Sequence, residues 1–346
     1  MSGTIPSSAN WDMTYACQLR CTHCYSESGR RASRRLPRED MLRIADTILA
    51  MGIKNVQLSG GEPLLVEELP EIAARLAAGG VRVALYTNGL LLNDDNARAF
   101  GELFDRIHVS LDGATAAVHD RIRGRAGAFE GALRGLGCLD RAAAERKAAG
   151  KSALHYGFET VVVQSNFHQL DDLCAQIAPR FPHLGFVRFG AAVPSGLAND
   201  ARYAVEELLS DAQLAALRDP ALAARLRALL PASVTTMLIS DLFFLMMDPE
   251  RIARGQALTN LLHIEPDGAV RSMAIYEGTV GNLLHDPPWE LWQRVLDRHS
   301  HPLVRRELAS VESMPAWAAA SRRIDWHFAA PEERARIAPR VLGEGA

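Results

Sequence analysis

Hydrophobic and polar residues follow two different periods along the first two-thirds of the chain. Residues 54–59, 81–87 and 106–112 are short apolar runs with the length and composition of buried strands. Between such runs, segments such as residues 38–52 place apolar side chains every three or four positions, the period of an amphipathic helix. Repeated alternation of strands and helices predicts parallel strands joined by crossover helices.

Six strand–helix units precede residue 230, and the first strand begins near residue 10. A closed barrel of this kind needs eight units. The pattern therefore predicts an α/β fold in which residues 1–230 form a partial, open (β/α)6 TIM-like barrel. In the remainder, residues 231–346, two strand-like runs flank Pro266-Asp267-Gly268, which indicates a small β-hairpin followed by C-terminal helices.

Composition and charge narrow the possible partners and compartments. The 346 residues are 48% hydrophobic and carry a net charge of −3, so no overall positive charge favours nucleic acid. The N-terminus lacks the basic and apolar regions of a signal peptide, and the apolar run at 242–247 is too short to span a bilayer. We expect a cytoplasmic protein that binds neither nucleic acid nor membrane.

Three of the five cysteines, Cys17, Cys21 and Cys24, lie within one polar loop after the first predicted strand. In a reducing compartment, closely spaced cysteines are more often metal ligands than disulfides. A structural zinc site needs four ligands, and the other two cysteines, Cys138 and Cys174, lie singly in helical segments. Three thiolates can hold three irons of a [4Fe–4S] cluster and leave the fourth iron open, as a catalytic site requires.

The spacing Cys-x-x-x-Cys-x-x-Cys followed by Tyr25 resembles the signature of radical S-adenosylmethionine (SAM) enzymes. Further stretches that follow or end the next predicted strands resemble motifs of the same family: SGGEP (59–63), YTNG (86–89), VSLDG (109–113) and HDRIRGRAGAF (119–129). The resemblance extends over residues 10–200. It implies one [4Fe–4S] cluster and S-adenosylmethionine, whose reductive cleavage gives a 5′-deoxyadenosyl radical that abstracts a hydrogen atom from the substrate.

The resemblance also implies which residues contact the cofactor, although it names no residue that acts on the substrate. The glycines would allow close approach of the backbone to the methionine part, and the glutamate would add a carboxylate there or brace the loop. The hydroxyls of Thr87 and Ser110 would contact the cofactor, and Arg123 would pair with its carboxylate. Asp112 would support the ribose side or the turn, and Tyr25 would lie over the adenine edge, mainly through backbone contacts. The implied residues are Tyr25, Gly60, Gly61, Glu62, Thr87, Ser110, Asp112 and Arg123.

Several of these features also have plain structural interpretations. A glycine pair such as Gly60-Gly61 is often only a turn, and Arg123 stands in a run of arginines that is typical of a solvated face. The basic loop at 29–35 is either solvated or a docking site for an acidic reductase such as flavodoxin. Cys138 and Cys174 are expected to be small buried hydrophobes, with a hydrogen-atom donor as the alternative.

The C-terminal hairpin resembles the SPASM or twitch extension of peptide-maturing radical enzymes, which carries cysteines for auxiliary clusters. Met273 stands near one expected cysteine position, and residues 253–260 contain none. We therefore expect a single cluster and a redox-neutral outcome such as epimerisation, rearrangement or elimination.

The barrel motifs resemble most closely those of maturases of ribosomal peptides, including mycofactocin-type enzymes. This favours a precursor-peptide substrate and a flavodoxin- or ferredoxin-type reductant. Because the first strand begins near residue 10, any leader-binding domain is expected to be a separate protein. Two alternatives stay open: the same chemistry on a small molecule, such as an aminoglycoside or a sugar nucleoside, and a non-catalytic module that holds a metal.

Overall fold

The computed structural model describes residues 6–239, 260–309 and 311–342. One ten-stranded sheet runs through these residues in the order β10-β9-β8-β1-β2-β3-β4-β5-β6-β7. All pairs from β8 through β1 to β7 are parallel, while β8–β9 and β9–β10 are antiparallel. The strands are β1 Ser8–Asp12, β2 Asn55–Ser59, β3 Arg82–Thr87, β4 Arg106–Ser110, β5 Tyr156–Val162, β6 Phe186–Ala191, β7 Thr235–Ile239, β8 Leu261–Ile264, β9 Ala269–Arg271 and β10 Thr279–Asn282.

The helices alternate with the parallel strands and then form the C-terminal part of the chain. They are α1 Arg38–Ala50, α2 Leu69–Ala78, α3 Asp94–Leu103, α4 Ala116–Arg123, α5 Ala128–Ala148, α6 Leu170–Asp172, α7 Ala201–Glu206, α8 Asp211–Arg218, α9 Pro220–Leu229, α10 Pro288–His299, α11 Pro302–Leu308, α12 Met314–Phe328 and α13 Pro331–Leu342. The predicted α/β fold with a partial barrel is confirmed.

Each strand divides its side chains between two faces, because successive residues of a strand point in opposite directions. On one face, Trp11, Leu58 and Val109 are fully buried in a core shared with apolar residues of the helices, such as Ile44. The intervening positions are polar in most of the parallel strands, as with Asn10 in β1. The opposite face of the sheet therefore presents mainly polar side chains.

Residues 168–181 and 204–230 each have an apolar pattern that predicts a helical segment, and both differ from the structure. The segment after β5 is a 3-10 turn, the short α6, a π turn at Leu173–Ile177 and a second 3-10 turn at Ala178–Arg180, instead of one helix. Pro179 lies in that last turn and has no N–H to continue an α-helix. The long helical segment before residue 230 is three helices, because Ser210 and Asp219 accept hydrogen bonds as N-caps and begin new ones.

The parallel sheet continues past residue 230, where the sequence places the end of the barrel. Strand β7 pairs with β6, and β8 pairs in parallel with β1 at the other edge. The hairpin between β8 and β9 is present, with Gly268 at φ +81° in its turn. The division into two domains at residue 230 stays a prediction. Residues 242–247, and 253–259 of the cysteine-free segment, lie outside the described residues.

Candidate cofactor site

The cysteine loop follows β1, at the edge where the parallel strands end. All three of its thiols are free; Cys21 is buried, and Cys17 and Cys24 are half-buried. Cys21 packs with Leu19 and Ala128, and the other two cysteines pack against the same small cluster. The structure thus brings the three predicted ligands to one place.

Three glycines allow other segments to approach the backbone of this loop. A Cβ atom on Gly61 would lie 2.1 Å from the carbonyl oxygen of Ala16, and one on Gly196 would lie 2.3 Å from that of Tyr25. Gly124, which ends α4, makes an equally close approach to a third loop carbonyl, at 2.3 Å. A side chain at any of these positions would push the loop away.

The SGGEP stretch contacts the cysteine loop through its backbone. Gly60 has φ +110°, and the Gly61 amide donates to the Thr14 carbonyl oxygen at 2.7 Å. The next amide, that of Glu62, donates to the Ala16 carbonyl oxygen at 2.9 Å. The glycine pair is therefore required for packing onto the loop, and its predicted contact with the cofactor stays a prediction.

Glu62 is fully buried, and its carboxylate accepts three hydrogen bonds. The donors are the Thr87 hydroxyl at 2.7 Å, the Asn88 amide at 2.9 Å and the Leu64 amide at 3.1 Å. Burial raises the pKa of Glu62 to about 7, although these three donors favour the ionised form. These contacts match the bracing role considered for Glu62. The Thr87 hydroxyl, which was expected to contact the cofactor, donates its proton to Glu62.

Asp112 and Arg123 form a buried ion pair beneath the loop, with Arg123 Nε 2.7 Å from Asp112 Oδ2. His23 also contacts Asp112, at 2.8 Å. Burial opposes ionisation of Asp112, but Arg123, His23 and His119 together outweigh it and hold the pKa of Asp112 well below its usual range. Arg123 Nη1 lies 3.8 Å from Cys21 Sγ. Arg123 is therefore not on a solvated face; its predicted pairing with a cofactor carboxylate stays a prediction.

The remaining predicted contacts are also at this edge of the sheet. Ser110 is half-buried, and within the described part of the chain its hydroxyl has no hydrogen-bond partner. The Tyr25 hydroxyl donates to Asp12 Oδ1 at 2.6 Å, so its ring is fixed against the end of β1.

Two polar networks on the inner face of the barrel were not predicted. In the first, Asp12 accepts from Tyr25 and from the Ser59 hydroxyl at 3.0 Å, and it lies 3.3 Å from His263 Nε2 of β8. This network therefore connects Tyr25, the residue after the last cysteine of the loop, to strands β1, β2 and β8. The period-two pattern of Asn10 and Asp12 in β1 was the available signal.

In the second network, β3 to β6 each contribute one side chain. Glu159 contacts His108 Nδ1 at 3.1 Å and Arg188 Nη1 at 3.4 Å, and the same Arg188 nitrogen donates to the Tyr86 hydroxyl at 3.2 Å. The Tyr86 and His108 rings stack with their centroids 4.2 Å apart. These half-buried charges give the interior a wall suited to a polar substrate.

The environment of the thiols fits ligands of an iron–sulfur cluster. The Leu19 amide lies 3.4 Å from Cys17 Sγ, and the Asn88 amide group lies 3.9 Å from the same sulfur. Burial raises the pKa of Cys21 to about 12, so without a metal the neutral thiol is favoured, and metal binding would release its proton. No three His, Cys, Asp or Glu side chains of the described residues are arranged to hold one metal ion. A cluster presents a separate iron to each thiolate, so its ligands need not meet at one point.

The other two cysteines lie away from this loop. Cys138 is on α5, with its sulfur 3.2 Å from Arg141 Nη2, and Cys174 is fully buried in the π turn. Met273 is buried beside Tyr276 and Phe328 in the C-terminal part. None of these residues shares a described contact with the three cysteines of the loop.

Comparison with known proteins shows which family the barrel resembles. Residues 11–160 match the model of the radical SAM superfamily. The mycofactocin maturase MftC of Mycobacterium ulcerans is 36% identical over 178 residues, which are 51% of this chain and 45% of that protein. An AdoMet-dependent heme synthase of Methanosarcina barkeri is 38% identical over 136 residues, 38% of each chain. Residues 11–160 therefore form a radical SAM domain.

Solved structures support the fold. Streptococcus suis SuiB bound to S-adenosylmethionine has a TM-score of 0.67 and 14% identity, covering 86% of this chain and 68% of SuiB. SuiB bound to its precursor peptide SuiA has a TM-score of 0.63 and 11% identity, covering 91% of this chain and 71% of SuiB. The chain spans about half the length of the curated relatives it matches. Among the described helices, none is both long and apolar enough to cross a bilayer.

Proposed function

We propose that this chain is a radical SAM enzyme in which Cys17, Cys21 and Cys24 hold one [4Fe–4S] cluster. The observation that carries the proposal is three free thiols gathered in one loop whose backbone is held by the Gly60-Gly61 turn. With S-adenosylmethionine bound, such a cluster supplies a 5′-deoxyadenosyl radical that abstracts a hydrogen atom from the substrate. The family implies both cofactors.

The chain's own residues would orient the cofactor in different ways. Ser110 has a hydroxyl available on the inner face, which supports a direct contact. Glu62 and Asp112 are committed to protein donors, so they would act by fixing the loop and Arg123. Thr87 would act through Glu62, to which it donates. Tyr25 would act through its backbone, because its hydroxyl is bound to Asp12.

The proposed substrate is a ribosomal precursor peptide. The similarity to a mycofactocin maturase supports this class, and the fold is shared with SuiB, which has been crystallised with a precursor peptide. A small molecule is the second candidate, supported by the similarity to an AdoMet-dependent heme synthase. We also propose that the enzyme is cytoplasmic. A single cluster and a redox-neutral product are proposed, because Met273 stands near one expected cysteine position and residues 253–260 contain no cysteine.

Anaerobic reconstitution tests the cluster. The parent should bind about four irons per chain and cleave S-adenosylmethionine when chemically reduced. The triple variant Cys17→Ala, Cys21→Ala, Cys24→Ala should lose both, whereas Cys138→Ala and Cys174→Ala should keep both. Iron binding without cleavage would support the non-catalytic module instead, and about eight irons would show an auxiliary site. Product mass with a candidate peptide then tests redox neutrality, since a product lighter by two hydrogens contradicts it.

A further inference from the structure

Three exposed arginines cover the outer side of the cysteine loop by binding its carbonyl oxygens. Arg20 Nη1 donates to the carbonyls of residues 19 and 17, at 2.8 and 3.0 Å. Arg30 donates to those of residues 20 and 21, at 2.6 and 3.0 Å, and Arg125 donates to that of residue 18, at 3.3 Å. Each of five successive carbonyls thus accepts a guanidinium donor. We call these three residues the arginine collar.

The charge of the collar is not neutralised by neighbouring carboxylates. Within the described residues, no Asp or Glu pairs with any of the three arginines. Two nearby carboxylates have other partners: Glu27 binds Arg336 and Arg340, and Asp120 accepts from the backbone amides of residues 127 and 129. The chain as a whole carries −3, so the collar is a local surface of opposite sign.

The basic loop at 29–35, a candidate docking site in the sequence, is compensated only in part. Arg34 lies 2.8 Å from Asp267, and Arg35 lies 2.6 Å from Glu68, so the charges of these two arginines are balanced within the protein. Arg30 of the same loop has no carboxylate partner in the described structure and belongs to the collar.

We propose that the arginine collar is the docking surface for an acidic one-electron donor protein of the flavodoxin type. The inference rests on the proposed function, because that reaction consumes one electron. On docking, the reduced flavin of the donor would lose one electron, and a [4Fe–4S] cluster held by the three cysteines of the loop would gain it, with no proton or group exchanged. A donor seated on the collar rests on the backbone of the segment from Cys17 to Cys21, beside two of the three thiols.

Charge and preorganisation support this choice of partner. An acidic protein is repelled by a chain of net charge −3 unless a positive surface steers its approach. The collar side chains are already fixed by hydrogen bonds to carbonyls, so docking orders them little further. Folding has already restricted these long side chains, so docking removes little more of their conformational entropy.

The test compares two triple variants. Arg20→Gln, Arg30→Gln, Arg125→Gln removes the charge while the amide can still donate to the carbonyls. The matched control is Arg82→Gln, Arg180→Gln, Arg305→Gln, three exposed arginines without a carboxylate partner in the described structure. Binding of oxidised flavodoxin is followed by flavin anisotropy, and reduction by reduced flavodoxin is followed by stopped flow. At low salt, the collar variant should lose about ten-fold in affinity and rate, and the control should match the parent. High salt should remove the difference.

Three results would overturn the proposal. The first is equal flavodoxin binding by the collar and control variants at low salt. The second is an equal loss of rate when methyl viologen replaces flavodoxin, since that result means a damaged loop. The third needs no variant: a parent whose reduction rate by flavodoxin does not change with ionic strength. A parent that cleaves no S-adenosylmethionine after chemical reduction contradicts the proposed function, while the anisotropy measurement still reports docking.

Discussion

Gly61→Ala should separate the cysteine loop from the SGGEP turn. The new Cβ would lie 2.1 Å from the Ala16 carbonyl oxygen and 3.0 Å from the Tyr15 carbonyl carbon, so backbone must move by about 1 Å. The overpacking costs about 1–3 kcal/mol. The hydrogen bonds at 2.7 and 2.9 Å from the amides of residues 61 and 62 weaken, at about 0.5–1.5 kcal/mol each. The total is roughly 2–6 kcal/mol, a large part of a typical stability.

The assay is urea unfolding of the apo-protein, together with iron content after anaerobic reconstitution. Gly190→Ala is the matched control, because Gly190 lies in β6 and nothing lies within 4 Å of its added Cβ. The control should unfold within about 1 kcal/mol of the parent, on the stabilising side if it differs. If Gly61→Ala keeps the stability and iron content of the parent, the close approach of the two segments is not required and the reasoning fails.

Two further predictions concern buried charges. Arg340→Met should cost about 3–5 kcal/mol in urea unfolding, because it leaves Glu27 and Glu277 with fewer positive partners in a buried network. The control is Arg334→Met, because Arg334 is exposed and contacts two carbonyls and the Trp326 ring but no carboxylate in the described structure; equal losses would contradict the network's importance. Glu62→Gln should become more stable relative to the parent as the pH rises from about 4.5 to about 7. In the parent, burial raises the pKa of the folded-state carboxyl, so rising pH favours the unfolded chain, whereas the glutamine of the variant does not ionise. Unfolding curves at pH 5 and pH 8 test this, and parallel profiles would refute it.

Local patterns predicted β1 to β6, most of the helices between them and the cysteine loop. Short apolar runs identified the strands, the 3.6-residue period identified the helices, and the cysteine spacing predicted the site. The helix after β5 failed because a pattern of apolar positions does not distinguish an α-helix from the π and 3-10 turns observed at residues 167–180.

Contacts between distant strands could not be predicted in the same way. The network of Tyr86, His108, Glu159 and Arg188 depends on the register of four strands, and a shift of one residue would turn each side chain to the other face. The contact between Arg340 and Glu27 joins residues 313 positions apart. No local pattern in the sequence contains such a pair, and the pair becomes visible only once the fold is known.

The cysteine loop has almost no regular secondary structure, yet it is held from several directions, and most of the contacts described are to its backbone. Gly61 and Gly196 approach the carbonyls of residues 16 and 25, and the collar binds those of residues 17 to 21. The Arg20 amide donates to the Arg123 carbonyl at 3.0 Å, and the Leu197 amide donates to that of Cys24 at 3.1 Å. Because backbone atoms carry these contacts, the loop can be rigid while its three thiols stay free to bind metal. A loop fixed instead through its side chains would need residues other than cysteine at these positions.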